Sequence, residues 1–136
     1  MALSITAANV TSKSSSSITN GTSGEALSQG SVVFLSSDNK FYKASSASDG
    51  NLTGKTIGIC LCIADAADER AIVATTNGDE IDLGVTASKG TYYCIGGTDG
   101  SIETYSDLGS SEHLTWIGYG NGSNLILQIN PTGLTK

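Results

Sequence analysis

"SVVFLSSDNKFYKA", residues 31–44, decides the class of fold. Val32, Val33, Phe34 and Leu35 make an apolar, β-rich run, Asp38 and Asn39 supply turn chemistry, and "KFYKA" answers as a second short strand. The pattern predicts a β-hairpin, and it carries no histidine, cysteine or arginine. "GEALSQG", residues 24–30, leads into it as a small polar opening.

The same punctuation continues downstream. "KTIGICLCIA" (55–64) puts Ile57, Ile59, Leu61 and Ile63 on one face and Gly58, Cys60, Cys62 and Ala64 on the other, as a strand covered on both sides with close approach on its small face. "RAIVATTNGDEIDLG" (70–84) carries Asn77-Gly78 between two β-type runs, the signature of a second hairpin. Further strands are predicted over 91–96, 115–119 and 124–130. About eight short strands, separated by glycine-bearing turns, define an all-β fold: a small β-sandwich or barrel-like domain.

Composition agrees with that class. Of 136 residues, 17 are glycine and 35 are serine or threonine, while charged residues reach only 15%, so good helix formers are scarce. Residues 1–22 are polar, with sparse apolar positions at Leu3, Ile5, Val10 and Ile18 and a serine run at 14–17. Such a segment has little apolar surface to offset its ordering entropy, so it is expected to be an extended arm (1–22) attached to a β-rich domain (23–136).

Thirteen acidic and seven basic residues give a net charge of −6, and the cations never cluster, which argues against nucleic-acid binding. The longest apolar run, 57–64, is far short of the roughly 20 residues a bilayer helix needs. No charged start followed by an apolar stretch marks the N-terminus as a secretory signal, so synthesis in a host cytoplasm is expected.

Candidate chemistry is thin. Cys60, Cys62 and Cys94 lack the paired spacing of a closed zinc site and are expected as buried or half-buried thiols. His113, the single histidine, has no nucleophile-elbow sequence to serve and is expected in a surface loop. Acidic groups at Asp65, Asp68 and Glu69, and at Asp79, Glu80 and Asp82, lack calcium-loop spacing. Trp116 and Tyr119 are expected as core and rim. Sequons at Asn9, Asn20, Asn51 and Asn121 follow from the Ser/Thr content, and Gly118, Gly120 and Gly122 lack the helix a dinucleotide loop requires. No catalytic residue, metal or cofactor is implied.

The order of the segments carries one resemblance. "GEAL…G" (24–27 and Gly30), the valine-rich run 32–35, "IGICL" (57–61), "IDLG" (81–84), "GTYY" (90–93), "GSI" (100–102) and "IGYG" with "LILQI" (117–120 with 125–129) resemble, in succession, the small decoration or cement proteins of tailed-bacteriophage heads. The match spans about 21–133. Cys60 and Cys62 stand where that family has alanine or another small aliphatic residue, and "YYC" replaces a plainer strand. The resemblance implies a structural virion protein and not an enzyme. It implies a homotrimer on the outer capsid surface that bridges neighbouring major capsid proteins, with no nucleic-acid or membrane partner. Leu3, Ile5, Val10 and Ile18 in the arm, with Cys60 and Cys62, are the expected capsid or subunit contacts. The base of a head fibre and a lectin-like host-binding module using Tyr105, His113, Trp116 and Tyr119 are the alternatives.

Overall fold

The hairpin at 31–44 forms as the sequence predicts, between β3 (Val32–Leu35) and β4 (Lys40–Lys43). In this computed structural model, which describes residues 2–13, 18–49 and 52–136, Asn39 takes a φ of 64°, a left-handed position that asparagine tolerates. The Asp38 carboxylate accepts the Lys40 N–H at 3.0 Å and the Tyr42 hydroxyl at 2.6 Å, which fixes the turn. The serine run at 14–17 and Asn51 lie outside the described residues.

The fold is all-β, a closed barrel beside an open sheet, consistent with the small sandwich or barrel-like domain expected. β2 (Ile18–Ser23), β4, β3, β5 (Ile57–Cys60) and β6 (Arg70–Ala74) close into a barrel. β1 (Thr11–Ser12), β7 (Glu80–Asp82), β11 (Leu125–Thr135), β10 (His113–Gly120), β8 (Tyr92–Ile95) and β9 (Ile102–Thr104) form a six-stranded sheet in that order. A five-stranded barrel has a narrow lumen, and small or slender side chains fill it: Val33, Cys60, Ala64, Ala71 and Val73, with Leu27 and Phe41. Alternation then turns Val32, Ile57, Ile59 and Ala74 outward, where they pack with Tyr93, Ile95, Ile117, Leu125 and Leu127 of the sheet as the main core.

Eleven strands are described where about eight were expected, and the additional three are β1, β2 and β9. Two of these come from the segment expected as an arm, and the boundary placed after residue 22 falls inside β2. Residues 18–22 pair antiparallel with β6, and Thr22 and Ser23 pair parallel with β4, so this segment closes the barrel. Thr11 and Ser12 pair with β7, and the Leu3 N–H donates to the Ile102 carbonyl at 2.9 Å. Ordering costs about 1–2 kcal/mol per residue. Burial of Val10, 3% exposed, contributes about 1.5–3 kcal/mol against it, with Leu3 and Ile5 partly buried on the main core and the ladder bonds adding more.

Asn77-Gly78 is a turn but not a hairpin. Gly78 has a φ of 95° and Asn77 does not share the positive value, whereas the tight hairpin turn favoured by Asn-Gly needs both. The Gly78 N–H donates to the Leu127 carbonyl and the Asn77 side chain accepts the Ile129 N–H at 2.8 Å. β11 thus captures the turn, and the chain crosses from the barrel (β6) to the sheet (β7).

The strand expected over 57–64 ends at Cys60, although its alternation persists to Cys62, which packs on the barrel interior. Ile63 leaves the pattern and is 63% exposed. Close approach on the small face comes from the chain itself: a Cβ at Gly58 would run into the Ala74 carbonyl oxygen.

Candidate functional site

β10 carries the residues that give the sheet a distinctive outer face. Trp116 lies opposite Cys94 of β8, whereas Gly118 lies opposite Tyr93, so two steps along β10 match one along β8. Ile117 is the extra residue, and it is fully buried in the main core. The bulge resets the alternation, and Trp116 and Tyr119 both project outward. Tyr119 pairs with Tyr92, which is 59% exposed, while neighbouring Tyr93 points inward and its hydroxyl accepts the Ser88 N–H at 3.0 Å.

Four rings meet on this face. Tyr92 stands nearly edge-on to Trp116, with centroids 6.1 Å apart and planes at 71°, and lies 5.9 Å from Tyr119. Tyr105 lies 6.2 Å from Trp116 on the other side. Spacings of this kind suit edge-to-face and tilted aromatic contact. Lys136 holds the Tyr105 end: its ammonium sits 4.8 Å from the ring centroid and donates to the carbonyls of Tyr105 and Leu108, each at 2.9 Å. Between Tyr92 and Trp116 opens a mostly apolar pocket of about 350 Å³, completed by Gln128 and Asn130 on β11.

The expected contact residues are not brought together. Leu3, Ile5 and Val10 pack on the main core, Cys60 is fully buried in the barrel, and Cys62 is half-buried beside it. Ile18 is 46% exposed and stands apart from them on β2.

His113 begins β10 instead of occupying a loop; it is half-buried, and its backbone N–H donates to the Ser46 carbonyl at 2.9 Å. Of the lectin-type set, Tyr105, Trp116 and Tyr119 share the aromatic face, and Trp116 alone of these lines the pocket. Tyr92, Gln128 and Asn130 complete the pocket and were missed in the sequence. The alternation of "LILQIN" does place Gln128 and Asn130 on one face, but the partner strand could not be assigned without the bulge.

Several of the candidate reactive groups are occupied or silenced, whereas the buried His113 Nδ1 has no hydrogen-bond partner among the described residues. Burial pushes the Cys60 thiol up to about 11 and the Cys94 thiol up to about 12, so both are protonated near neutrality. Glu80 accepts the side-chain amides of Asn121 and Asn124, at 3.3 and 2.6 Å, and Asp82 accepts the Gly84 N–H. Asp68 pairs with Lys40 at 2.6 Å, and Glu69 accepts the Asp65 N–H. Among the described residues, no group of three or more histidine, cysteine or acidic side chains is arranged to hold a metal ion. Among the described residues, no helix is long and apolar enough to cross a membrane.

No protein-family model matches the chain, and no curated protein matches it.

Proposed function

We propose that the chain is a structural virion protein, a decoration protein that binds the outside of a tailed-phage head as a homotrimer and bridges major capsid proteins. One observation carries the reading. The segments that resemble the decoration proteins coincide with core strands or with turns that feed them: 32–35 with β3, 57–61 with β5, 90–93 with β8, 117–120 with β10 and 125–129 with β11. The likeness therefore runs through the residues that set the fold and is not confined to variable loops.

The physical demands of the role are modest. About 800 Å² per partner suffices for a specific interface, and three linked contacts per trimer raise avidity without a strong single site. The closed barrel has no free edge, and the open sheet ends on the short strands β1 and β9, which limits the edge along which β proteins pair without specificity. A net charge of −6 keeps the protein from competing for packaged DNA. Sedimentation equilibrium tests the oligomer: the expected mass is three times the 13.8 kDa chain, alone or when bound to capsid, and a monomer in both states argues against the proposal.

A further inference from the structure

The hairpin at 31–44 carries a separate pair of rings. Phe34 of β3 lies opposite Tyr42 of β4, with centroids 6.3 Å apart and planes at 35°. Tyr42 is fixed on two sides: its hydroxyl donates to Asp38, and Gly24 packs so closely that a Cβ there would run into the ring. Beside the two rings opens a pocket of about 300 Å³, and its lining is shared between them and polar side chains, among them Glu25, Asp49, Asp99 and Lys43.

The three carboxylates come from separate segments of the chain. Glu25 accepts the Lys43 N–H at 2.8 Å and Asp49 accepts the Ser45 N–H, so the backbone holds both in place. Among the described residues, the Asp99 carboxylate has no hydrogen-bond partner, and Lys43 forms no ion pair with any of the three acids. Three carboxylates against one ammonium leave an excess of negative charge in the lining. Burial pushes the Asp49 carboxyl above its ordinary value, and the Asp99 and Glu25 charges add to the push against the opposing Ser45 N–H. The acids do not converge on one point, however, because no group of three or more among the described residues is arranged to hold a metal ion. A cation that suits this pocket spreads its charge and offers a flat face to the rings.

We infer that the pocket takes an arginine side chain presented by a partner protein, with its guanidinium plane against Phe34 and Tyr42 and its N–H groups turned to Asp49 and Asp99. A guanidinium is planar, stacks on aromatic faces and donates in several directions at once. A lysine ammonium is a compact, strongly hydrated charge and makes less use of the rings. A neutral or acidic side chain would cover the carboxylates without compensating them. The volume, at the floor of the roughly 300–1,000 Å³ of small-ligand sites, suits a single side chain. The inference does not depend on capsid attachment.

The probe is the peptide acetyl-Gly-Arg-Gly-amide, titrated into the isotope-labelled 136-residue protein and followed through backbone amide chemical shifts. Saturable shifts are expected at Phe34, Tyr42, Lys43, Asp49 and Asp99, with the citrulline peptide, which keeps the shape and loses the charge, binding about tenfold more weakly or worse. Asp99→Asn and Phe34→Leu should each weaken arginine binding about two- to fivefold. Asp99→Asn breaks no hydrogen bond among the described residues, so it tests the charge in an intact fold, and circular dichroism checks that Phe34→Leu keeps the parent structure. Absence of shifts at these residues overturns the inference, as does equal affinity for the citrulline peptide or undiminished affinity in both variants. Saturation of the same shifts by calcium chloride alone, with displacement of the arginine peptide, would assign the pocket to a metal ion and overturn it too.

Discussion

Trp116 and Tyr119 are three residues apart on one strand and project from the same face of the sheet, each about 6 Å from the Tyr92 ring. Strict alternation would place them on opposite faces. The extra residue, Ile117, is spent on the core, and the outer face gains a second ring.

The bulge depends on a close backbone approach at Gly118. A Cβ there would run into the Ile126 carbonyl oxygen, which belongs to the facing strand and has no room to retreat. Gly118→Ala is expected to destabilise the fold by about 2–3 kcal/mol. Urea denaturation monitored by Trp116 fluorescence measures it; an unchanged midpoint would mean that the strands are not in contact there.

The N-terminal segment is structural. Removing residues 1–22 takes away β1 and nearly all of β2 and opens the barrel, so the truncated chain is expected to show no cooperative unfolding transition. Two point variants grade the effect. Val10→Ala should cost about 2 kcal/mol because the side chain is buried, and Ile18→Ala under about 1 kcal/mol because half of it faces solvent. Equal costs would contradict the packing described.

The three cysteines should separate by access. Cys62 is half-buried, whereas Cys60 and Cys94 are buried, with their thiols raised to about 11 and about 12. A thiol reagent at pH 8 is expected to label Cys62 in the native protein and all three after denaturation. An ordinary thiol value of 9.0 in the unfolded chain means that unfolding releases protons the native state keeps. Stability from this source is intact below about pH 9 and declines as pH rises toward 11–12. Rapid native labelling of Cys94 would contradict its burial.

Lys136 ties the C-terminus to the turn beneath Tyr105. Lys136→Met removes donors to the Tyr105 and Leu108 carbonyls and the cation beside the ring, at a cost of about 1 kcal/mol given the exposure of the site. Hydrogen exchange at residues 105–108 should accelerate, and unchanged exchange would show that the lysine does not hold the turn.

Short-range chemistry was legible in the sequence and long-range pairing was not. The hairpin at 31–44 could be read because Asp38 and Asn39 fix their own turn, and the outer-to-inner alternation of 57–62 because it follows from strand geometry alone. Asn77-Gly78 announced a turn correctly, yet its hydrogen bonds to β11, some 50 residues away, made it a crossover. Polarity hid β2, because a strand whose exposed side faces water needs few apolar residues when the barrel supplies both of its neighbours. The aromatic face stayed hidden for a related reason. "TWIGY" shows its rings but not the bulge that aligns them, and which of Tyr92 and Tyr93 faces outward is settled only by the register with β10.

The central claim is that the chain decorates a capsid. The measurement that meets it most directly is co-sedimentation of the purified 136-residue protein with empty tailed-phage capsids. Saturable binding, in copies that are a multiple of three per site, is the result the account requires. Protein that stays in the supernatant at every concentration would contradict it.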